Sequence, residues 1–437
     1  MKHKLVFLSL SILVILSLLN ACGAKKPSST GANPLLSLLA GVPTDPVAQS
    51  DDYIYFTDFS AMEAAYAATR PANAEEFSNY LDLGDPYTVW WVVARQMQSK
   101  LFSQTFTLLE TMPQMVGFST LDVDRSLEFA TPPGQGLILS GNFDPQAVGN
   151  AYQENLGMVS TDMEKFTIWC TGGDCTSGAK VDVKARMMEN PFGGELGQRQ
   201  PMSISADKLM ASPDIDLVLA HLAAAAGKQP SLADDPAYQA AVSAVYQDAL
   251  LIQALIANPL MVEGITNRQP VDNRIPPDLR SMAQQRVQEN FQELPAFDLF
   301  ILADVVTAEE QIARIGFVYQ DAKIAETAAP ILLERLANHP SIQFKPKLVG
   351  ELLAERSVTE PRFYVVKESG RAVLVLEFPT RKATSDEIVQ MQNIGSQATA
   401  TPPGIVYRLF SQMIFSDDLC WMSTLTRAEL TITKWEH

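Results

Sequence analysis

Apolar residues along the chain recur at two spacings, and the change from one to the other marks the elements. In "DPYTVWWVVARQMQSKLF", Val89, Val93, Met97 and Leu101 fall on one helical face, and Asp85 with Pro86 has the chemistry of a helix start. Asp144 and Pro145 repeat that start after an apolar strand at Leu137–Leu139. There Ala147, Val148, Ala151, Tyr152 and Leu156 share a face, and Gly157 supplies the stop. "PDIDLVLAHLAAAAG" reads as another helix, and Asp235 before Pro236 opens one more. "LLIQALIANPLMV" is apolar on both parities and is read as a buried strand.

The segments "FTIWC" and "KVDVKARMM", on either side of a glycine-containing loop, predict paired strands, and "PMSISAD" a further short one. In the second half "FDLFILADVV" predicts a strand. Thr307 with Glu310 three residues on has the spacing of a capping box, so a helix is expected with Ile312, Ile315, Tyr319, Ala322 and Ala325 on one face. Pro330 should kink or end it. "RFYVVKESGRAVLVLEF" predicts a hairpin around Ser369 and Gly370, followed by helices at "SDEIVQMQ" and "GIVYRLFSQMI" and a closing strand in "ELTITKW".

Set side by side, "LILSGNFDPQAV" and "FILADVVTAEEQI" each suggest a strand, a cap and a helix. The expected class is therefore α+β, with two related domains, each a mostly antiparallel sheet with helices packed on one face. The polar, proline-containing stretch 264–279 puts the boundary near residue 270, giving domains over 51–270 and 271–437. Residues 22–50, rich in Gly, Pro and Ser around the apolar island "PLLSLLAG", read as a tether whose island can dock as a short helix.

Before the tether lies a leader. Lys2 and Lys4 precede an almost unbroken apolar run from Leu5 to Leu19, shorter than the roughly 20 residues a spanning helix needs. Leu19, Asn20, Ala21 and Cys22 resemble the bacterial lipobox, in which the thiol is diacylated and the chain is then cut in front of it. That resemblance implies a signal peptide over 1–21, a lipidated Cys22 as the first mature residue, and an extracytoplasmic protein anchored to the bacterial cell membrane or outer membrane. "SLADDPAYQAAV", with "GNFD" upstream, is similar to segments of uncharacterised extracytoplasmic bacterial proteins, which implies no particular activity.

Composition narrows the function. With 33 basic against 50 acidic residues the chain carries a net charge of −17, which repels phosphate backbones and makes nucleic acid an improbable partner. Hydrophobic residues make up 47% and charged ones 19%, so the chain buries a core. Cys170 and Cys175 are five apart around two glycines, and outside the cytoplasm such a pair closes as a disulfide, leaving Cys420 as a buried free thiol. A metal site would want more ligands than His221, His339 and His437 offer, and no HExxH occurs.

Catalytic patterns fail one by one. Ser177 with Lys180 and Ser205 with Lys208 have one-turn spacing but lack the partner motifs of penicillin-recognising enzymes. "PFGGELGQRQ" fits neither a P-loop nor GxGxxG, so no cofactor is expected. "LDVDRSLE" places Asp122 and Asp124 as calcium loops do, but Leu127 and Pro133 stand where Gly and Glu are required. His221 reads as a core histidine, and of Trp90 and Trp91 one should face the core and one a domain contact. The expectation is a non-catalytic, lipid-anchored protein that binds a ligand or protein partner through residues the sequence does not identify. The alternatives are a solute-binding lipoprotein of an importer and a carrier of lipid or other apolar molecules.

Overall fold

Asn33 opens the first ordered segment. Its side chain accepts from the Leu35 amide at 3.0 Å, and Pro34 fills the first helical position of α1 (Pro34–Leu39). A computed structural model describes residues 33–44, 53–78, 86–97, 99, 106–129, 135–163, 166–171, 175, 180–259, 292–339, 341, 344, 347–391, 401–416, 420–422 and 424. The leader, Cys22, Asp85, Ser177, the expected boundary near 270 and the "ELTITKW" strand lie outside those residues. So does the side chain of Cys420.

After α1, β1 (Tyr53–Asp58) runs directly into α2 (Phe59–Tyr66). Asp58 caps that helix by accepting from the Ala61 amide at 2.8 Å. Three short helices follow, α3 (Ala74–Ser78), α4 (Thr88–Ala94) and α5 (Met112–Val116). Then β2 (Val123–Phe129) and β3 (Gly136–Gly141) pair antiparallel and lead into α6 (Pro145–Leu156). The punctuation of α6 is as the sequence predicts, with Asp144 as cap and Gly157 in the left-handed region at φ 61°. The first half ends with β4 (Val159–Met163), β5 (Phe166–Cys170), β6 (Met202–Ile204), β7 (Lys208–Ala211), α7 (Ile215–Ala225), α8 (Pro236–Val245) and β8 (Leu250–Ala257).

The second half begins as a hairpin, β9 (Leu299–Val306) with β10 (Glu310–Tyr319), and continues through α9 (Ala322–Asn338) and α10 (Val349–Glu355). A second hairpin, β11 (Arg362–Glu368) with β12 (Arg371–Arg381), turns at Ser369 and Gly370, both at positive φ. Two helices, α11 (Ser385–Met391) and α12 (Ile405–Phe415), follow.

The twelve strands of the described residues join one antiparallel sheet in the order β11-β12-β10-β9-β8-β1-β2-β3-β7-β6-β5-β4. The α+β class and the antiparallel pairing agree with the sequence. The halves, however, share this sheet: β8 from the first pairs with β9 from the second. Nor do helices keep to one face. On one side α9, α10 and α12 cover strands β8 to β12 through Leu332, Leu353 and Phe410, while α1 and α8 cover the opposite side with Leu39, Ala241 and Val245. A strand buried on both faces must be apolar at both parities, and β9 and β12 are.

Three local expectations change. The stretch after Thr307 is β10 and no helix, because Thr307 Oγ1 accepts from the Glu310 amide at 3.0 Å and the Thr307 amide donates back to Glu310 O at 2.9 Å. Together these close a hairpin turn. The helix starts instead at Ala322, capped by Asp321, and passes unbroken through Pro330, which sits on its exposed side where the freed carbonyl meets water. "KVDVKARMM" is no strand; it holds a 3-10 turn at Val183–Ala185, and β5 pairs with β4 and β6. The apolar island of the tether docks as the short helix α1, as the sequence suggests, with Leu35, Leu39 and Val42 fully buried and Pro43 bridged to Ser231.

Candidate functional site

A row of polar side chains crosses the middle of the sheet, buried on the face that α12 covers. Thr57 on β1 lies opposite Ser126 on β2 and Gln253 on β8, and Gln253 lies opposite Asp304 on β9. Gln311 on β10 reaches diagonally to Asp304 and sits opposite Thr380 on β12. Asp304 is 2% exposed. Its two oxygens accept from Gln253 Nε2 at 3.1 Å and from Gln311 Nε2 at 2.9 Å, and Tyr66 at the end of α2 donates to Gln311 Oε1 at 2.8 Å.

Gly404, the residue before α12, lies directly over the carboxylate. A Cβ at that position would come within 3.1 Å of Asp304 Oδ2, and its φ of +67° already favours glycine. The N-terminal end of α12 thus faces a negative charge, the sign that the exposed amides of a helix start favour. Burial nevertheless dominates and lifts the Asp304 carboxyl to about 6, against the hydrogen bonds from Gln253 and Gln311 and the Arg408 guanidinium. Tyr407 is pushed well up by its own burial and by Asp304, and its hydroxyl has no hydrogen-bond partner among the described residues. Chemically this group can take up and hold a proton near neutral pH while it spans six strands and meets two helices.

An open groove of about 630 Å³ lies between α3, α5 and the turn before β2, bordered by Glu75, Glu110 and Asp122 with Asn73, Leu109 and Pro113. Asp122 there belongs to a capping box: it accepts from the Ser119 amide at 2.7 Å, and Ser119 Oγ accepts from the Leu121 amide at 3.1 Å. Its neighbour Asp124 pairs with Arg70 at 3.2 Å, and Arg70 also donates to the carbonyls of Leu121 and Val123 at 3.0 Å. The alternating aspartates thus serve a cap and an ion pair.

Other singled-out residues fall where structure needs them. Cys170 and Cys175 form a disulfide, with Cα atoms 4.9 Å apart. His221 is buried on α7 with Nδ1 2.6 Å from Gly41 O; burial chiefly lowers its pKa to about 4, with the Gly41 carbonyl opposing and the Lys208 charge adding. That contact fastens the segment after α1 to α7, and Gly41 has no room for a side chain, since a Cβ would lie 2.5 Å from the imidazole. Trp90 is in the core and donates to Glu63 at 2.9 Å, while Trp91 packs edge-on against Phe77. Ser205 closes the β6–β7 turn by bonding Asp207 and the Lys208 amide. Among the described residues no group of three His, Cys, Asp or Glu could hold a metal, and no helix is long and apolar enough to cross a membrane.

The polar row escapes a reading by motifs because its members sit far apart in sequence. Its trace is a single polar residue inside each apolar strand run, Gln253 in "LLIQALIA" and Asp304 in "LFILADVV".

No protein-family profile and no curated protein matches this sequence. Among solved structures, crystal form I of TP0453 aligns over 80% of this chain and 94% of that chain at 11% identity, with a TM-score of 0.32. Crystal form III of TP0453 aligns over 82% and 98%, at 11% identity and a TM-score of 0.30. Likeness at that level transfers neither fold nor function.

Proposed function

We propose that this chain is a lipid-anchored extracytoplasmic protein that binds a ligand or protein partner without catalysis, held to a bacterial membrane by acyl chains on Cys22. The observation that carries this reading is the order of basic start, apolar run, small residue and cysteine over residues 1–22. The Cys170–Cys175 disulfide supports the same oxidising compartment. Each buried methylene of an acyl chain contributes about 0.8 kcal/mol, so two or more chains hold the protein at the surface without help from the fold.

For the binding role, the groove beside α3 is open to solvent, and its three carboxylates favour a cationic or neutral polar occupant. A two-lobed importer protein closes a cleft between separate sheets, whereas one sheet runs through both halves of this chain, which favours the partner-binding reading. The test is metabolic labelling with radioactive palmitate. Wild-type protein should carry the label, and Cys22→Ser, or treatment of the cells with globomycin, should remove it from the mature form. Undiminished labelling of Cys22→Ser would overturn the proposal.

A further inference from the structure

The sheet ends at β11, whose one neighbour among the described residues is β12. In an antiparallel ladder alternate residues turn both amide and carbonyl away from the neighbour, so one set of β11 backbone groups points outward. Among the described residues nothing bonds to that set. The open edge runs the length of the strand, from Arg362 to Glu368, and such an edge is a template for a further strand. Both apolar layers of the molecule reach it. Val365 packs at the margin of the layer under α9 and α12, Tyr364 and Val366 at the margin of the layer under α8, and all three are only half-buried. Phe363 beside them is 52% exposed.

The residues along this edge complement their own reverse. When "RFYVVKE" is laid antiparallel to itself with Val365 opposite Val365, Arg362 faces Glu368, Phe363 faces Lys367 and Tyr364 faces Val366, and a two-fold axis repeats each pair. Directly opposite residues share a face, so the Arg–Glu pairs lie on the α8 side and the Phe–Lys pairs, a ring against a cation, on the α9 side. Sliding one copy by two residues loses this match: it sets Glu360 against Glu368 in one direction and Arg362 against the turn glycine Gly370 in the other. Arg362 is also prepared for another carboxylate. Its Nε donates to Glu377 at 3.0 Å and its Nη2 to Glu310 at 3.1 Å, while Nη1 makes no bond among the described residues. Glu368 is exposed at the other end of the strand.

We propose that β11 pairs antiparallel with β11 of a second copy of this chain, about a two-fold axis at Val365, so that one sheet runs through a dimer. The pairing satisfies the outward amides and carbonyls of both edges and carries each apolar layer across the axis. It does not depend on acylation of Cys22. A two-fold axis does, however, set both copies at one height along it, so a dimer whose axis stands upright on a membrane presents both chains to the same surface.

The test places cysteines on β11 of the full chain in bacterial envelope membranes, oxidises them with copper phenanthroline and reads dimer on a non-reducing gel, with the wild-type chain as background. Opposite residues of an antiparallel pair have Cα atoms about 4.5–5.5 Å apart, within disulfide reach, whereas Phe363 of one copy would lie about 14 Å from Phe363 of the other. Phe363→Cys combined with Lys367→Cys should therefore give crosslinked dimer at about five times the yield of either single variant or more. Val365→Cys, on the axis, should crosslink alone. Glu368→Arg added to the double variant turns two opposite-charge pairs into like-charge pairs and should cut the yield about tenfold. Equal yields from the single and double variants, the result of random collision or of another register, overturn the proposal. So does the absence of dimer from every variant, or a crosslinked band whose mass contains a different protein. Phe363, Lys367 and Glu368 are exposed, so their substitution leaves the core intact.

Discussion

Asp304 and His221 are both buried and titrate in opposite senses. Asp304 is raised from 3.8 to about 6, so between those values the native chain holds a proton that the unfolded chain has released. Its contribution to stability is complete below the unfolded value and is lost as pH rises through 6. His221 is lowered from 6.5 to about 4, so in nearly the same window the unfolded chain binds a proton that the native chain refuses, and stability rises with pH. At about 1.4 kcal/mol per pH unit each effect is on the order of 3 kcal/mol, and in the wild type they largely offset. Asp304→Asn should therefore show melting temperatures that climb from pH 4.5 to 6.5, and His221→Gln ones that decline. Parallel profiles for wild type and both variants would refute this assignment. The histidine's structural role is legible in the sequence from its apolar helix; the carboxylate's is not, because its amide partners come from two other strands.

At the scale of the element, α8 shows how one side chain joins a helix to the sheet. Its Ala240, Ala241 and Ala244 are fully buried, small enough for the helix to lie close on β9, β10 and β12. Arg314 on β10 then donates to the carbonyls of Val245 and Gln247 at 2.7 and 2.9 Å, where the helix leaves its last acceptors unsatisfied. It also pairs with Glu377 on β12 at 2.8 Å, and both side chains are 7% exposed. Arg314→Met should cost about 3 kcal/mol in urea unfolding, since it leaves a buried carboxylate with weaker partners and bare helix carbonyls. Adding Glu377→Leu should recover part of the loss; no recovery would place the cost in the carbonyls alone. The helix starts at Asp144–Pro145 and Asp235–Pro236 are legible because the cap and the proline act within four residues, whereas the helix expected from Pro86 begins at Thr88. Thr307 misleads for a related reason: a hydroxyl bonding the amide three residues on serves a helix start and a hairpin turn equally, and only pairing with β9 selects between them.

Across the whole molecule, a sheet that crosses from one half to the other predicts cooperative unfolding. Calorimetry should show one transition with equal calorimetric and van't Hoff enthalpies, and two separable transitions would mean that the β8–β9 pairing does not couple the halves. By itself the sequence determined the α+β class, most strand and helix positions, the cysteine pair that forms the disulfide, and the absence of motifs for metal, phosphate or triad chemistry. Those features depend on local spacing, capping and period, which a chain carries in any few consecutive residues. Only the tertiary structure decided that the halves share a sheet and that helices cover both faces of β8 to β12. It alone placed Thr57, Gln253, Asp304 and Gln311 in one row. Strand order and face burial are set by contacts between residues as far apart as Tyr66 and Gln311, and no period along the chain encodes which strand becomes the neighbour of another.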